Sequence, residues 1–305
     1  MYAVIDIGSN TIRLVIYKIE NHQIRALLNK KSPAGLAGYI NKNRCLKKSG
    51  IRKAVGVLRE FREILDHMTI REVFPFATAS LRNISNAPEV LDAIKKECGF
   101  DVRILSGEEE AVFDYYGALQ AMEMDNGLLC DIGGGSTEIV SYRDHAIHTA
   151  VSLPIGSLNL YQSHVKGILP RRKELETIRR HIMEELEQLP SIKYPVTDLC
   201  AVGGSARAAL QMVRSLGKEE DTPSFAYPPQ RLEDFLTEAL EEPEEFARRL
   251  LKTAPERIHT FLPGITVLSA IAKHYQIKRI LTVPYGVREG YLYYLLEQRG
   301  EIHGK

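Results

Sequence analysis

An acid, a glycine turn and a cluster of hydroxyls occur twice in this chain, 125 residues apart: Asp6, Gly8, Ser9, Asn10 and Thr11 in VIDIGSNTIRLVIY, and Asp131, Gly133, Gly134, Gly135, Ser136 and Thr137 in LLCDIGGGSTEIV. Glycine lets a main chain approach a ligand closely, and the following residues offer N–H and hydroxyl donors to phosphate oxygens. An aspartate at each strand end suits a hydrated Mg²⁺, with Mn²⁺ as the alternative ion. Two such turns facing each other across a cleft would grip a phosphate chain and its metal. One copy alone is an ordinary hairpin turn. Recurrence at matching offsets argues for two related domains, and the second copy adds Glu138 two residues beyond Ser136.

The elements that must carry these turns are strands. Residues 2–30 read as three of them, YAVIDI, TIRLVIYKI and one around IRALL, antiparallel, with a turn at 20–22; KSPAGLAGYINKN then reads as a loop. From Ile51, apolar Val55, Leu58, Phe61, Leu65 and Met68 recur every three or four residues, which predicts an amphipathic helix. EVFPFAT is a strand leading to Thr78 and Arg82. Helices are predicted after Asn86, with Glu89 completing a capping box, and after Ser106, with Glu109 as its partner. The second half restarts with the hairpin GLLCDIGGGSTEIVSYRD and a strand near HAIHTAVSLP. Helix then dominates: 170–188, a strand, glycine turn and helix in DLCAVGGSARAALQMV, a polar loop at 217–230, short helices after Pro229 and Pro243, a helix at LPGITVLSAIAKHY, a strand at RILTV and a closing helix at GVREGYLYYLLEQR. Strands alternating with helices make this an α/β chain.

With 305 residues there is material for two cores, at 44% hydrophobic and 26% charged. No apolar run is long enough to span a membrane and no leader pattern opens the chain, so the expectation is cytoplasmic, with no membrane or nucleic-acid partner. Cys45, Cys98, Cys130 and Cys200 lack the spacing of a zinc site or a disulfide framework. Net charge is +1, unevenly spread: residues 24–53 hold nine basic residues (Arg25, Lys30, Lys31, Lys42, Arg44, Lys47, Lys48, Arg52, Lys53) and no acid. Beside two phosphate-type turns, that stretch reads as a track for a polyanion.

The strings IDIGSNTIRL, ATASLR, ILSGEEEA, CDIGGGSTEIV, VGGSARA, LPGITVL and GVREG, in that order, resemble the exopolyphosphatase / guanosine pentaphosphate phosphohydrolase (Ppx/GppA) family over residues 2–296. The resemblance implies two ribonuclease-H-like domains of the actin, sugar-kinase and Hsp70 superfamily, an interdomain active-site cleft, and Mg²⁺-dependent release of terminal phosphate. The domains are expected at 1–124 and 125–305, with the helix at 288–305 packing back on the first. Glu108, Glu109 and Glu110 all suit the first turn of a helix, and the residues alone do not choose among them. The family pattern does: Glu110 matches the catalytic base, which must orient and deprotonate a water aimed at the terminal phosphorus. Arg82 matches the family's phosphate-binding arginine, whose planar fork suits phosphate oxygens. Asp131 and Glu138 match acids around the metal and the attacking water, with Asp6 facing them as a further ligand. Gly203, Gly204 and Ser205 match a third glycine turn. The chain departs from the family pattern at 30–39, where Lys30, Lys31, Ser32 and Pro33 precede GLAGY, and at Ser205, where relatives commonly carry Thr.

Hydrolysis of inorganic polyphosphate is therefore expected, favoured by the acid-free basic stretch. Removal of the terminal phosphate of guanosine pentaphosphate is the alternative within the family. A non-catalytic sensor of polyphosphate or an alarmone is the alternative of another class, and retention of Glu110, Asp131 and Glu138 argues against it. The apolar run from Tyr291 through Leu295 suits a core, with a homodimer face as the other reading.

Overall fold

Two pleated meanders begin the two halves, each because β-branched runs alternate across a glycine turn. The computed structural model describes residues 1–20, 23–190, 192, 194–217 and 225–302. The expected turn at 20–22, the polar loop at 217–230 and the end of the closing helix therefore fall partly outside the described residues.

In the first half β1 (Tyr2–Ile7), β2 (Thr11–Glu20) and β3 (Gln23–Pro33) pair antiparallel. A 3₁₀ turn, η1 (Leu36–Tyr39), precedes α1 (Lys48–Asp66). Next come β4 (Glu72–Ala77), parallel to β1, the single turn α2 (Ala79–Arg82), α3 (Ala87–Cys98), β5 (Arg103–Ile104) and α4 (Gly107–Leu119). The sheet order is β3-β2-β1-β4-β5. Strand β3 takes up the start of the segment expected to be loop. It lies at the sheet edge, where Pro33 removes no ladder donor. Helix α1 buries Ile51, Ala54, Val55, Leu58, Phe61 and Leu65 and stops before Met68. The capping box expected at Asn86 is replaced by long-range pairing: Asn86 Oδ1 accepts Leu46 N–H at 2.8 Å and Nδ2 donates to Leu46 O at 3.0 Å.

The second half follows the same plan with more helices: β6 (Asn126–Ile132), β7 (Thr137–Arg143), β8 (Ala146–Leu153), α5 (Ser157–His164), α6 (Arg172–Leu186) and β9 (Asp198–Val202). Then follow α7 (Gly203–Ser215), β10 (Ala226–Tyr227), α8 (Gln230–Glu241), α9 (Pro243–Thr253), a 3₁₀ turn η2 (Pro255–Arg257), α10 (Phe261–His274), β11 (Arg279–Thr282) and α11 (Val287–Gln298). Its sheet runs β10-β11-β9-β6-β7-β8. Among the described residues no helix is long and apolar enough to cross a membrane.

The chain forms two units, Met1–Glu110 with Tyr291–Lys305, and Ala111–Gly290. The division falls inside α4 rather than at 124/125, because Ala111, Tyr115 and Ala118 of that helix belong to a core with Leu129, Val140 and Val202. From Tyr291 the last helix serves the first unit: its ring meets Phe76 edge-on at 5.3 Å, and Glu301 accepts hydrogen bonds from Tyr2 Oη and Arg71 Nη1.

Strand alternation decides where the acids go. Ala3, Ile5 and Ile7 enter the core with α1 and α3, so Asp6 lies on the other face of its sheet. In the second unit Leu128, Cys130 and Ile132 enter the larger core. Asp131 therefore shares the opposite face with Leu129, and Glu138 shares it with Val140 and Tyr142.

Candidate active site

The duplication is exact in position as well as in pattern. Gly8 N–H donates to Thr11 O at 3.0 Å, and Gly133 N–H donates to Ser136 O at 3.0 Å. Ser80 Oγ donates to Ile7 O, and Ser205 Oγ to Ile132 O at 3.1 Å. Register irregularities fall at Ile16/Tyr17 and at Ser141/Tyr142. Each pair is separated by the same 125 residues.

In the first unit Asp6 stands opposite Arg13 on the β1–β2 rung. The turn after it is held through its carbonyls: Ser9 O accepts Ala37 N–H at 3.0 Å, and Asn10 O accepts Ala34 and Gly35 N–H at 3.0 and 2.8 Å. The altered 30–39 segment thus supports this turn with main chain, whatever its side chains. At the same end of the sheet, beyond the parallel strands β4 and β5, Arg82 Nη1 donates to Glu110 Oε2 at 2.8 Å and to Leu105 O at 3.0 Å. Their side chains are 20% and 12% exposed, so each holds the other's geometry in a partly desolvated place. Glu109 is turned elsewhere: its carboxylate accepts Ser106 N–H at 2.8 Å, while Ser106 Oγ accepts Glu109 N–H at 3.0 Å. The expected capping box is formed, and Glu110 is the acid beside Arg82.

In the second unit Asp131 and Glu138 share one rung of β6 and β7, hence one face. Glu138 is 1% exposed and Oε1 accepts Ser152 Oγ–H at 2.7 Å. Asp131 rests on the third glycine turn. A Cβ at Gly203, which has φ +81°, would lie 1.9 Å from Asp131 Oδ1, so only glycine leaves room for the carboxylate. A Cβ at Gly204 would lie 1.7 Å from Arg257 Nη2. Burial pushes the Arg257 guanidinium below its usual range, while Glu256 and Asp131 pull it back up. Thr137 is wholly buried and donates its hydroxyl to Ile155 O, and Ser205 is tied to Ile132 O. Both hydroxyls fasten main chain, and the Gly133 N–H is given to Ser136 O.

Among the described residues no three His, Cys, Asp or Glu side chains are grouped to hold a metal. Two carboxylates on one rung fit a hard ion that keeps waters and borrows phosphate oxygens, which is how Mg²⁺ is usually held. Asp131 and Glu138 are the residues that would hold it. Sequence reasoning missed Arg257, a lone arginine between helices, and helix α5, whose start packs against the glycines at 133–135. The helical break at Pro154 and Gly156 was the available signal for the latter.

Two ribonuclease-H-like sheets with duplicated glycine turns and a carboxylate rung define an actin-like fold built for phosphate chemistry. The Ppx/GppA phosphatase family model matches residues 15–299, and the chain belongs to that family of phosphoanhydride hydrolases. It is 26% identical over 294 residues to a putative exopolyphosphatase of Haemophilus influenzae, covering 96% of this chain and 90% of that one. It is 24% identical to the guanosine-5'-triphosphate,3'-diphosphate pyrophosphatase of Vibrio atlanticus, covering 98% of this chain but only 60% of the relative's length. A crystal structure of an exopolyphosphatase from Cytophaga hutchinsonii aligns with TM-score 0.84 at 26% identity, over 97% of this chain and 98% of that one. The Aquifex aeolicus family member shares the fold with TM-score 0.81 at 24% identity, over 98% of each chain.

Proposed function

We propose that this protein is an exopolyphosphatase that releases terminal orthophosphate from inorganic polyphosphate, with Glu110 as general base. The observation that carries the reading is the Arg82–Glu110 pair: a carboxylate at a helix start, fixed at 2.8 Å by a guanidinium that is itself anchored on Leu105 O. A base must be held still to align a water in line with the terminal phosphorus. Glu110 takes the proton as the water oxygen bonds to phosphorus, the bridging P–O bond breaks, and the shortened chain leaves with the electron pair. Arg82, beside the base, counters the charge on the phosphoryl oxygens. Mg²⁺, when bound by Asp131 and Glu138, supplies further charge neutralisation. Asp6 is paired across its rung with Arg13.

A long polyanion is favoured as substrate by the nine basic residues at 24–53, of which Arg25, Lys42, Arg44, Lys47, Lys48, Arg52 and Lys53 are exposed. Guanosine pentaphosphate is the second reading, supported by two relatives at 24% and 25% identity that carry that activity in their names. The test is phosphate release from long-chain polyphosphate with Mg²⁺, run beside guanosine pentaphosphate and beside Glu110→Gln. Release from polyphosphate that falls at least about 10²-fold in the variant, and ceases with EDTA, supports the proposal. Release from the nucleotide alone transfers it to the second reading. Tight binding without turnover points to a sensor.

A further inference from the structure

The turn at 133–136 is held from behind by the first turn of α5, which takes the carbonyl of every glycine in it. Gly133 O accepts Ser157 N–H at 2.9 Å and Ser157 Oγ–H at 3.0 Å. Gly134 O accepts the N–H groups of Leu158 and Asn159, both at 3.0 Å. Gly135 O accepts Asn159 Nδ2 at 2.9 Å. The approach is as close as two main chains allow: a Cβ at Gly156 would lie 2.3 Å from Gly134 O and 2.5 Å from Gly135 N. Ser157 is fully buried.

A trans peptide directs its N–H opposite to its C=O. Tying three consecutive carbonyls to α5 therefore aims the N–H groups of Gly134, Gly135 and Ser136 away from it. Successive N–H groups aimed to one side form an anion-binding concavity. The first unit uses the same device at Ser9 and Asn10, but there all three donors are main-chain N–H groups of Ala34, Gly35 and Ala37. Among the described residues, the carbonyls of the second turn take side-chain donors, from Ser157 and Asn159, as well as main-chain ones.

We propose that Ser157 and Asn159 are positioning residues for phosphate recognition: they orient the peptide planes at 133–136 so that the amides beyond receive a phosphate chain. The identity of that anion rests on the exopolyphosphatase reading, while the orientation of the amides does not. The test uses the full chain and inorganic tripolyphosphate as probe, with calorimetric affinity and the ¹H–¹⁵N amide shifts of Gly134, Gly135 and Ser136. The unmodified protein is expected to shift these amides on binding. Asn159→Leu is expected to weaken binding about ten-fold, to raise KM for phosphate release with kcat nearly unchanged, and to leave the urea midpoint in place. Asn159→Gln, which keeps an amide donor at a partly exposed position, is expected to recover most of the affinity. Ser157→Ala, which leaves the N–H bond to Gly133 O, is expected to cost less than Asn159→Leu. Unshifted amides in the unmodified protein would overturn the proposal. So would full affinity in Asn159→Leu, or a loss matched by a fall in the urea midpoint that Asn159→Gln does not repair. If the amides shift but no phosphate is released from any substrate, the exopolyphosphatase reading fails and the positioning role stands.

Discussion

The two glycine turns share one backbone and differ in what stands around it. At the rung before the turn, Asp6 faces Arg13, whereas Asp131 faces Glu138. After the parallel strand, Thr78 and Ala79 occupy the places that Gly203 and Gly204 hold in the second unit, 125 residues on. The first rung pairs an acid with a base, whereas the second places two carboxyl groups on one face of the sheet. Removing side chains at Gly203 and Gly204 makes room for Asp131 and Arg257 to sit against the main chain. One turn is thus present twice, and differences at a few flanking positions give only the second a rung of two acids; on the reading proposed above, that copy would hold the metal. The other copy lies in the unit that holds Arg82 and Glu110.

The strongest way to break this comparison is to remove charge from each rung. Asp131→Asn and Glu138→Gln are each expected to lower phosphate release about 10²- to 10³-fold, with the Mg²⁺ requirement shifted to higher concentration. Asp6→Asn is expected to cost roughly ten-fold or less, since Arg13 already balances it. Phosphate release measured across a Mg²⁺ titration decides the matter. Equal losses at Asp6 and Asp131 would mean that both rungs serve the ion.

Filling the glycines sharpens the same contrast in stability. Gly203→Ala places a Cβ against Asp131 Oδ1 and forces φ +81° on an L residue, so urea unfolding is expected to show a loss of about 2–4 kcal/mol. Gly8→Ala meets Thr11 O at 3.1 Å and Asp6 Oδ1 in ordinary contact at 3.9 Å, and Gly133→Ala meets Ser136 O at 3.2 Å. These two are expected to cost less than Gly203→Ala, and about the same as each other. A large difference between them would show that the turns are alike in outline only.

Local pattern made much of this legible. Period-two runs around Asp6 and Asp131 gave the meanders, and the spacing at 51–65 gave α1, because those signals are held within a few residues. What sequence could not give was set by long-range packing. Asn86 resembles a helix cap and pairs with Leu46 instead, 40 residues away. Arg257 has no local motif, and its place on Gly204 depends on η2 returning to the third glycine turn. Thr137 and Ser205 look like phosphate ligands by type, yet the folded chain uses their hydroxyls on carbonyls. Among Glu108, Glu109 and Glu110 the capping rule singled out Glu109, but assigning Glu110 required a family pattern, because the chemistry of a carboxylate does not depend on its number in a helix.

The smallest expected effect separates the starts of α4 and α11, which use the same reciprocal spacing with different caps. Ser106 N–H donates to Glu109 Oε2 at 2.8 Å and its hydroxyl returns the bond, whereas Gly286 N–H donates to Glu289 Oε2 at 3.1 Å and has no hydroxyl to return. Burial raises the Glu109 carboxyl, but Ser106 and Arg103 together outweigh that and hold it below its usual 4.5. A carboxyl depressed on folding contributes stability that is fully present above 4.5 and is lost as pH falls through its lower folded value. Glu109→Ala is therefore expected to cost about 0.5–1 kcal/mol at neutral pH, the range for an acid at an exposed helix start. The difference between the two proteins should narrow in urea titrations as the pH falls below 4.5 and the carboxyl takes up its proton. A gap that widened in acid instead would mean that Glu109 is stabilised in its protonated form, and the helix start would then be held by Ser106 alone.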